Sequence, residues 1–465
     1  MEVDSGDAVV PRSTVTPSSQ VFNGSNYPRI KVRHENLCDD FILEENHFTS
    51  QYFPFYVARL KTLKPLIQKL AVQKWGTNVR FSSMSEMNDK DDPRVIIIGI
   101  LFKKMENQPT VLKEISSEDN QIVPQSTADC YIDDTDYLIL QDETENVRLS
   151  GNISIHSHVT GIVVGLKGCV NPDGNDFIVE EICYPSLPSP YVEKLPPIET
   201  KYILLLSGLG FSKNPSSQLC KATDLLKSFI TGFLRPEDAE KSQKISRVII
   251  AGNLIGEKVR AEELAKDEAH GKPWLKQSKP FFVDIMEKVD SFLVEFARTI
   301  GVEIMPGHTD PTCQPLPQQP MSPCIIPKSS TLDSIHCVSN PYCGAYDSRL
   351  FIGSSGQNID DIRRFSNLTD PIEIMEKTVI WSHLAPTVPD TLPGLNVKPD
   401  NPEDPFILTR LPDVYFVGNQ KEFSTSFKEM GNRHIRFISI PKFETTFTGV
   451  LLNLADLTCE KISFG

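Results

Sequence analysis

The sequence predicts a protein of the α/β plus all-β class: a small barrel of β-strands, followed by a sandwich of two β-sheets with helices on its outer faces. Two observations support this prediction. Five short apolar segments, separated by turn residues, fall within residues 94–185. After a proline-rich linker at residues 184–197, apolar strand patterns alternate with helix patterns, and a β-rich remainder follows.

The composition limits the classes of protein that the chain can belong to. Of its 465 residues 39% are hydrophobic, and 47 basic residues oppose 61 acidic ones, so the net charge is −14. No run of about 18 apolar residues occurs, so we expect no membrane span. The acidic N-terminus lacks the apolar core of a secretory signal. The ten cysteines form no C-x-x-C pair, so we expect unpaired, mostly buried thiols and no zinc or iron–sulfur site.

Two regions precede the barrel. Residues 1–27 are rich in Ser, Thr, Pro and Asn without an apolar period, which predicts a disordered tail. Residues 28–93 are predicted to be an N-terminal helical segment packed on the core, because apolar residues recur at helical spacing between Leu60 and Leu70. Pro65 should kink or interrupt this helix.

The region at residues 94–185 is predicted to be an OB-type barrel, because five short strands with one longer insertion, at about residues 104–136, are typical of that fold. OB barrels often bind single-stranded nucleic acid through a basic groove and stacked aromatic residues. This region has six basic and fifteen acidic residues, a net charge of −9, so we expect it to bind a protein instead. The predicted strands are residues 94–103, 137–140, 146–149, 161–167 and 177–180.

Residues 186–465 are predicted to be an α/β/β/α sandwich. Three continuous apolar strands alternate with helices, a pattern that indicates a parallel sheet buried on both faces. The rest of this region is β-rich with few helices. The first strands are predicted at residues 202–206, 247–251 and 302–305, and the later ones near 335–338, 349–353, 414–417, 435–440 and 447–453.

Four loops follow strands of the predicted sandwich. In open α/β sheets, ligands bind at the carboxyl ends of the strands. The loops are Ser207-Gly-Leu-Gly210, Gly252-Asn-Leu-Ile-Gly256, Pro306-Gly-His-Thr-Asp310 and Val417-Gly-Asn-Gln-Lys421. Their order and spacing resemble those of the calcineurin-like metallophosphoesterases, in which these loops hold two metal ions. The resemblance implies the same fold for residues 186–465.

At the ligand positions of that family this sequence has other residue types. His383 is the only candidate for the isolated histidine ligand, and Asp310 matches the acid that closes its loop. Two divalent ions that lie close together repel each other unless carboxylates neutralise them, and none stands at the bridging position. We therefore expect no metal, no cofactor and no catalytic residue. The former metal-site positions are Gly208, Gly210, Asn253, Gly256, His308, Thr309, His383, Asn419 and Lys421.

A second glycine-rich stretch, at residues 351–358, precedes a predicted helix start near Ile359. Backbone N–H groups in such a stretch could bind a phosphate. A tight turn with a helix N-cap is the interpretation that we favour, because the signal stands alone.

An OB-type barrel followed by an inactivated phosphoesterase domain resembles the B-subunits of the replicative DNA polymerases. Within that group the chain resembles the small-subunit family of DNA polymerase delta, over about residues 50–465. The stretches that carry this likeness are residues 159–161, 179–180, 248–254, 304–307, 310–312, 316–320, 351–358, 383–391 and 414–419.

The resemblance implies a non-catalytic accessory subunit that serves DNA replication and repair synthesis in the nucleus. It implies a hetero-oligomer in which the chain binds the cysteine-rich C-terminal domain of the catalytic subunit and also carries the third subunit. Contact with DNA would be indirect, through the complex, and no membrane is involved. Two alternatives stay open: an active metal-dependent phosphodiesterase and a stand-alone OB protein that binds single-stranded DNA.

Overall fold

The computed structural model covers the barrel, the sandwich and part of the N-terminal segment. The predicted tail at residues 1–27 lies outside the described residues, and so does much of the predicted insertion at residues 104–136. The structure describes residues 29–43, 51–77, 80–87, 94–109, 129–171, 176–190, 199–257, 259, 281–395, 403–431 and 433–465.

The N-terminal segment contributes strand β1 (His34–Asn36) and helix α1 (Phe53–Trp75). Leu63 and Ile67 of α1 are fully buried with apolar residues of the barrel. Pro65 does not interrupt α1, so that part of the prediction is wrong. It is exposed, so water can satisfy the carbonyl group four residues earlier that has lost its helical donor.

Five strands then close into a barrel, as predicted, in the order β2-β3-β4-β6-β5. A loop of the barrel touches the following domain at Gly161, whose φ is +94°. A Cβ at this position would lie 1.9 Å from the carbonyl oxygen of Pro386, so only glycine allows this approach. The strands are β2 (Val95–Lys104), β3 (Tyr137–Gln141), β4 (Asn146–Gly151), β5 (Val163–Val170) and β6 (Asp176–Cys183).

The remaining elements form two sheets and their covering helices. The strands are β7 (Ser189–Pro190), β8 (Tyr202–Leu206), β9 (Ile245–Ala251), β10 (Gly301–Met305), β11 (Ile335–Cys337), β12 (Tyr342–Tyr346), β13 (Arg349–Ser354), β14 (Arg410–Leu411), β15 (Val414–Gln420), β16 (Ser424–Met430), β17 (Arg433–Pro441), β18 (Thr448–Asn453) and β19 (Cys459–Ser463). The helices are α2 (Ser217–Thr231), α3 (Pro236–Lys244), α4 (Phe281–Ala297), α5 (Gln357–Phe365), α6 (Pro371–Ile380) and α7 (Phe443–Thr446).

Each sheet has six strands. The first has the order β11-β10-β9-β8-β18-β19, in which β8, β9 and β10 are parallel, as predicted, and β11 also pairs parallel with β10. The second has the order β1-β12-β13-β15-β17-β16, with β13, β15 and β17 parallel. Strand β1 therefore joins the N-terminal segment to an edge of the second sheet.

Alternate residues of β8 face two different cores. Leu204 and Leu206 pack with apolar residues of α2 and α4, on the outer face of the first sheet. Ile203 and Leu205 belong to the larger core that contains the second sheet, α5 and α6. Since α6 also packs on the second sheet, where Thr378 Oγ1 lies 3.2 Å from the hydroxyl of Tyr415, the layers are helix, sheet, sheet and helix.

Two further expectations concern the chain as a whole. Across the stretches that the structure describes, no helix is both long and apolar enough to span a membrane. All ten cysteines are unpaired, as expected, but they are not mostly buried. Only Cys38 and Cys183 are buried, whereas Cys130, Cys220 and Cys324 are exposed.

Candidate functional site

The candidate site is the cleft where β8, β9, β10 and β15 end. The structure brings the loops after β8 and β9 together there, because Gly208 N donates to the carbonyl oxygen of Gly252 at 2.9 Å. The amide of Phe211 donates to Leu254 at 2.8 Å, and Gly256 donates back to Phe211 at 3.1 Å. The two loops are therefore held side by side by main-chain hydrogen bonds.

The glycines of the first loop are required by the backbone and by their neighbours. Gly208 and Gly210 have φ values of +59° and +67°, in the left-handed region. A Cβ on Gly208 would lie 3.0 Å from Asn419 Oδ1 and 3.0 Å from Lys442 Cα. A Cβ on Gly210 would lie 2.3 Å from Glu444 Oε2. A metal-binding side chain at either position would thus collide with residues that now fill the cleft.

The segment that fills the cleft follows β17 and includes α7. Its backbone is fixed to the first loop, since Phe443 N donates to Ser207 O at 2.8 Å and Glu444 N donates to Gly208 O at 2.8 Å. Ser207 Oγ donates to Ile440 O at 3.2 Å and to Pro441 O at 3.1 Å. The cleft is therefore closed at this end by main-chain contacts rather than by mobile side chains.

Asn253 and Thr309 are engaged within the loops. Asn253 has a φ of +53° and is buried, and a Cβ on Gly307 would lie 2.2 Å from its Oδ1. Thr309 Oγ1 donates to Ile255 O at 2.6 Å. These side chains therefore join the second and third loops and do not line an open cavity.

Asp310, the acid that closes the third loop, is fully buried. It accepts a hydrogen bond from Gly307 N at 2.8 Å and one from Ile255 N at 3.2 Å. Burial raises the pKa of this carboxyl to about 6, against the lowering effect of the amide donors. Asp310 is thus a link between the loops after β9 and β10.

Asn419, at the end of β15, is held by three hydrogen bonds. Its amide nitrogen Nδ2 donates to Ala251 O at 3.2 Å and Ser355 O at 2.8 Å, and its backbone N–H donates to Ser207 Oγ at 3.0 Å. The side chain oxygen Oδ1 has no hydrogen-bond partner in the described residues and faces Gly208. The side-chain amide of Asn419 therefore fixes the ends of β9, β13 and β15 relative to one another.

Three of the predicted site residues do not lie among the buried residues of the cleft. His308 and Lys421 are exposed. His383 is buried elsewhere, where its Nε2 lies 2.8 Å from Asp404 Oδ2 and its Nδ1 accepts from Ala385 N at 3.2 Å. Both ring nitrogens of His383 are therefore occupied.

The surroundings of His383 form a buried polar cluster. Burial, and then Arg59, lower the pKa of His383 to about 4, which keeps the imidazole neutral. Burial alone would raise the pKa of Asp404, but His383 and Arg59 bring it down to about 2. Arg59 Nε donates to Asp404 Oδ2 at 2.6 Å. This cluster lies where α1, the barrel and the sandwich meet, since Arg59 also bonds Gly161 O at 2.9 Å.

The site offers little to a cation. Within the described residues, no group of three or more His, Cys, Asp and Glu side chains could hold a metal ion. The residues that sequence reasoning missed are Ser207, Ser355, Lys442 and Glu444, which occupy or brace the cleft. Ser207 and Ser355 lie in stretches that the sequence analysis singled out, but no motif marks Lys442 and Glu444, which the end of β17 in the second sheet brings into the cleft.

The glycine-rich stretch at residues 351–358 forms the end of β13, a turn and the start of α5. Gly356, with a φ of +109°, precedes the first residue of α5. Ser355 N donates to Asn340 Oδ1 at 3.1 Å, and Asn340 Nδ2 donates to Gln318 Oε1 at 2.7 Å. The stretch is thus part of a buried amide network with a tight turn.

Comparison with known proteins agrees with this two-part architecture. The family described as DNA polymerase delta subunit OB-fold domain matches residues 51–182. The DNA polymerase alpha/epsilon B-subunit family matches residues 203–425. The fold and the cleft therefore define a protein of the polymerase B-subunit class, with an OB-fold domain and mixed α/β sheets.

Individual relatives narrow this class. The chain is 34% identical to the DNA polymerase delta small subunit of Arabidopsis thaliana, over 95% of this chain and 96% of that protein. It is 33% identical to the small subunit of Oryza sativa subsp. japonica, over 94% and 98%. It is 31% identical to DNA polymerase delta subunit 2 of Drosophila melanogaster, also over 94% and 98%. The chain belongs to the DNA polymerase delta small-subunit family.

One solved structure, titled as a novel archaeal phosphodiesterase, aligns with 56% of this chain and 98% of its own at 11% identity. Its TM-score is 0.25, which is too low to support any conclusion.

Proposed function

We propose that this chain is the non-catalytic accessory subunit of a DNA polymerase delta complex and serves replication and repair synthesis in the nucleus. The observation that carries the proposal is the similarity to polymerase delta small subunits across nearly the whole chain, at 31–34% identity. In this proposal the chain bridges the cysteine-rich C-terminal domain of the catalytic subunit and the third subunit. DNA is contacted only through the complex.

The proposal includes a phosphoesterase-like domain, of the calcineurin type, at residues 186–465 that has lost its activity. Three features of the cleft support this. The glycines at 208 and 210 leave no room for ligands beside Lys442 and Glu444. Asp310 accepts backbone hydrogen bonds and is buried. The bridging position is an amide, Asn253, which cannot neutralise two divalent cations.

The domain limits belong to the same proposal: an N-terminal helical segment at residues 28–93, an OB domain at 94–185 and the phosphoesterase-like domain at 186–465. Contact between them is extensive, because Arg59 of α1 donates to carbonyl oxygens of Gly161, Pro386 and Val388 at 2.7–2.9 Å. A scaffold that binds two subunits at once needs this fixed arrangement of its domains.

The test is co-expression of the full chain with the catalytic subunit and the third subunit of the same organism. We expect all three to co-purify in a complex with stoichiometric amounts of this chain. On the chain purified alone, we expect no Mn²⁺-dependent hydrolysis of bis(p-nitrophenyl) phosphate. Hydrolysis that disappears in His308→Ala would contradict the inactive site, whereas failure to bind either subunit would contradict the scaffold role.

A further inference from the structure

An apolar groove runs between α1 and the barrel. It has a volume of about 270 Å³, and its walls are the N-terminal part of α1, strands β2 and β3, and the turn after β3. Phe53 is 55% exposed at its mouth, although a phenylalanine normally gains free energy by burial. The residues of α1 that line it are Phe53, Tyr56, Val57 and Leu60.

The spacing of these four residues is i, i+3, i+4 and i+7, so they form one ridge along α1. The same face continues towards the C-terminal end of the helix through Leu63, Ile67 and Ala71, which are fully buried against the barrel. Helix α1 therefore has one long apolar face, which is buried from Leu60 onwards but is left partly uncovered by the described residues at its N-terminal end, where Phe53 is exposed and Tyr56 and Val57 are half-buried. A ridge of this kind packs against the groove of another helix.

The two ends of the groove differ in charge. At one end lies the turn after β3, where Glu143 and Glu145 are exposed and make no ion pair with any described residue. Asp142 of this turn is used locally, because it accepts from Thr144 N and Glu145 N, both at 2.8 Å. At the other end the ammonium group of Lys104 lies 4.8 Å from the centre of the Phe102 ring.

This charge arrangement selects the occupant. The glutamates repel a nucleic acid backbone, and the barrel region as a whole carries a net charge of −9. They attract lysine and arginine, which also increase the rate of association with a partner. We propose that the groove binds an amphipathic helix of another subunit of the polymerase complex, with an apolar face against Phe53 and Val57 and basic residues beside Glu143 and Glu145.

The proposal rests on the proposed function, because it takes the occupant from the same complex. Its test uses the full chain, immobilised and titrated separately with purified catalytic subunit and purified third subunit. The main variant is Phe53→Asp. It should fold normally, because Phe53 is the first residue of α1, where an acidic side chain is favourable. The matched control is Phe427→Asp, since Phe427 is 46% exposed on the distant edge strand β16.

We expect Phe53→Asp to weaken binding of one of the two subunits by roughly thirtyfold or more, as loss of an aromatic anchor does. Binding of the other subunit should be unchanged, and Phe427→Asp should affect this interaction by less than about threefold. Glu143→Lys with Glu145→Lys should weaken the same interaction, with a smaller loss at high salt because screening already reduces the attraction. Phe53→Leu should restore most of the affinity.

Unchanged binding of both subunits in the Phe53→Asp and charge-reversal variants would overturn the groove proposal and leave the scaffold role intact. If the unaltered chain bound neither subunit, the proposed function itself would be overturned. A concentration-dependent dimer, or binding of a single-stranded oligonucleotide, that Phe53→Asp abolishes would assign the groove to a second copy or to DNA and so overturn the proposal.

Discussion

Replacement of Arg59 by methionine should weaken the contacts that join α1, the barrel and the sandwich, and so lower the stability of the protein. Arg59 is fully buried, and its guanidinium group donates to Asp404, Gly161, Pro386 and Val388. Methionine fills a similar volume but offers no donor, so Asp404 keeps a buried charge whose remaining partners are His383 and the backbone N–H of Phe406. Breaking a buried ion pair in this way costs about 3–5 kcal/mol of unfolding free energy. Three carbonyl groups lose a donor at the same time, so we expect the upper part of that range.

The assay is urea denaturation followed by tryptophan fluorescence, together with hydrogen exchange. Exchange should increase in the loop around Gly161 and in the loop around Pro386, because Arg59 joins the two. The control is Arg363→Met, since Arg363 is half-buried and donates to Asp360, Thr369 O and Gln420 Oε1 close to solvent, where a smaller loss of about 1 kcal/mol is expected. A loss of about 1 kcal/mol or less in Arg59→Met as well would refute the reasoning.

A double variant tests the cause. If the uncompensated charge of Asp404 accounts for most of the loss, Arg59→Met combined with Asp404→Asn should be more stable than the sum of the single losses by about 1–2 kcal/mol. The pH dependence provides a second check. The pKa of Asp404 is lowered to about 2, so its stabilising effect is present above the ordinary pKa near 3.8 and is lost as pH falls towards 2. Arg59→Met should reduce this loss.

Three further predictions concern single sites. Gly161→Ala should lower the free energy of unfolding by roughly 2 kcal/mol or more, because its Cβ would lie 1.9 Å from Pro386 O. The control Gly76→Ala has a similar φ of +92° but nothing within 4 Å, so it should lose only about 1 kcal/mol. Equal losses in thermal denaturation would contradict the role of the contact with Pro386. Glu303→Gln should remove a pH dependence of stability. Burial raises the pKa of Glu303 to about 7, so the folded state keeps this carboxyl protonated between about pH 4.5 and 7, and stability falls as pH rises through that window. In urea titrations the stability of the variant relative to the unaltered chain should therefore increase from pH 4.5 to 7. Asp310→Asn should lower stability by about 1–3 kcal/mol, since the variant places amide N–H donors where Asp310 now accepts from Gly307 N and Ile255 N. Calorimetry with Mn²⁺ should show no tight binding to either protein. Mn²⁺ binding by the unaltered chain that is lost in the variant would make Asp310 a metal ligand.

The strands and helices that the sequence predicts are those with continuous apolar patterns. The apolar run before Ser207 and the run before Gly252 both become central parallel strands, and the five barrel strands are all present. The strands without a predicted counterpart are β1, β7, β12, β14, β16 and β19, of which β1, β7 and β14 have only two or three residues. Strands β16 and β19 are sheet edges with mostly exposed or half-buried residues, and β12 contains Gly344, so tertiary pairing rather than local pattern creates them.

The candidate site was predictable in its loops but not in its contents. Strand ends of one parallel sheet must lie together, so the positions of Gly208 and Asn253 follow from the pattern alone. Asn419 ends β15 of the second sheet, so its place beside them was expected only from the resemblance to the metallophosphoesterases. The role of Lys442 and Glu444 does not, because they come from the end of a strand in the other sheet. The same holds for His383, since Arg59, which bonds the same carboxylate of Asp404, is 324 residues away and belongs to a helix outside the sandwich.

The way in which the cleft is filled bears on the proposal that a phosphoesterase activity was lost. Restoring an aspartate at position 208 would place its Cβ 3.0 Å from backbone of Lys442, in a residue whose φ of +59° already disfavours a side chain. The segment after β17 would have to move, and it is held by Phe443 N and Glu444 N on the first loop. An aspartate at position 208 could therefore reach a metal ion only if the backbone of the segment after β17 moved at the same time. If the inactive phosphoesterase is the correct proposal, the same hydrogen bonds that prevent this reversal make the cleft a rigid part of the scaffold.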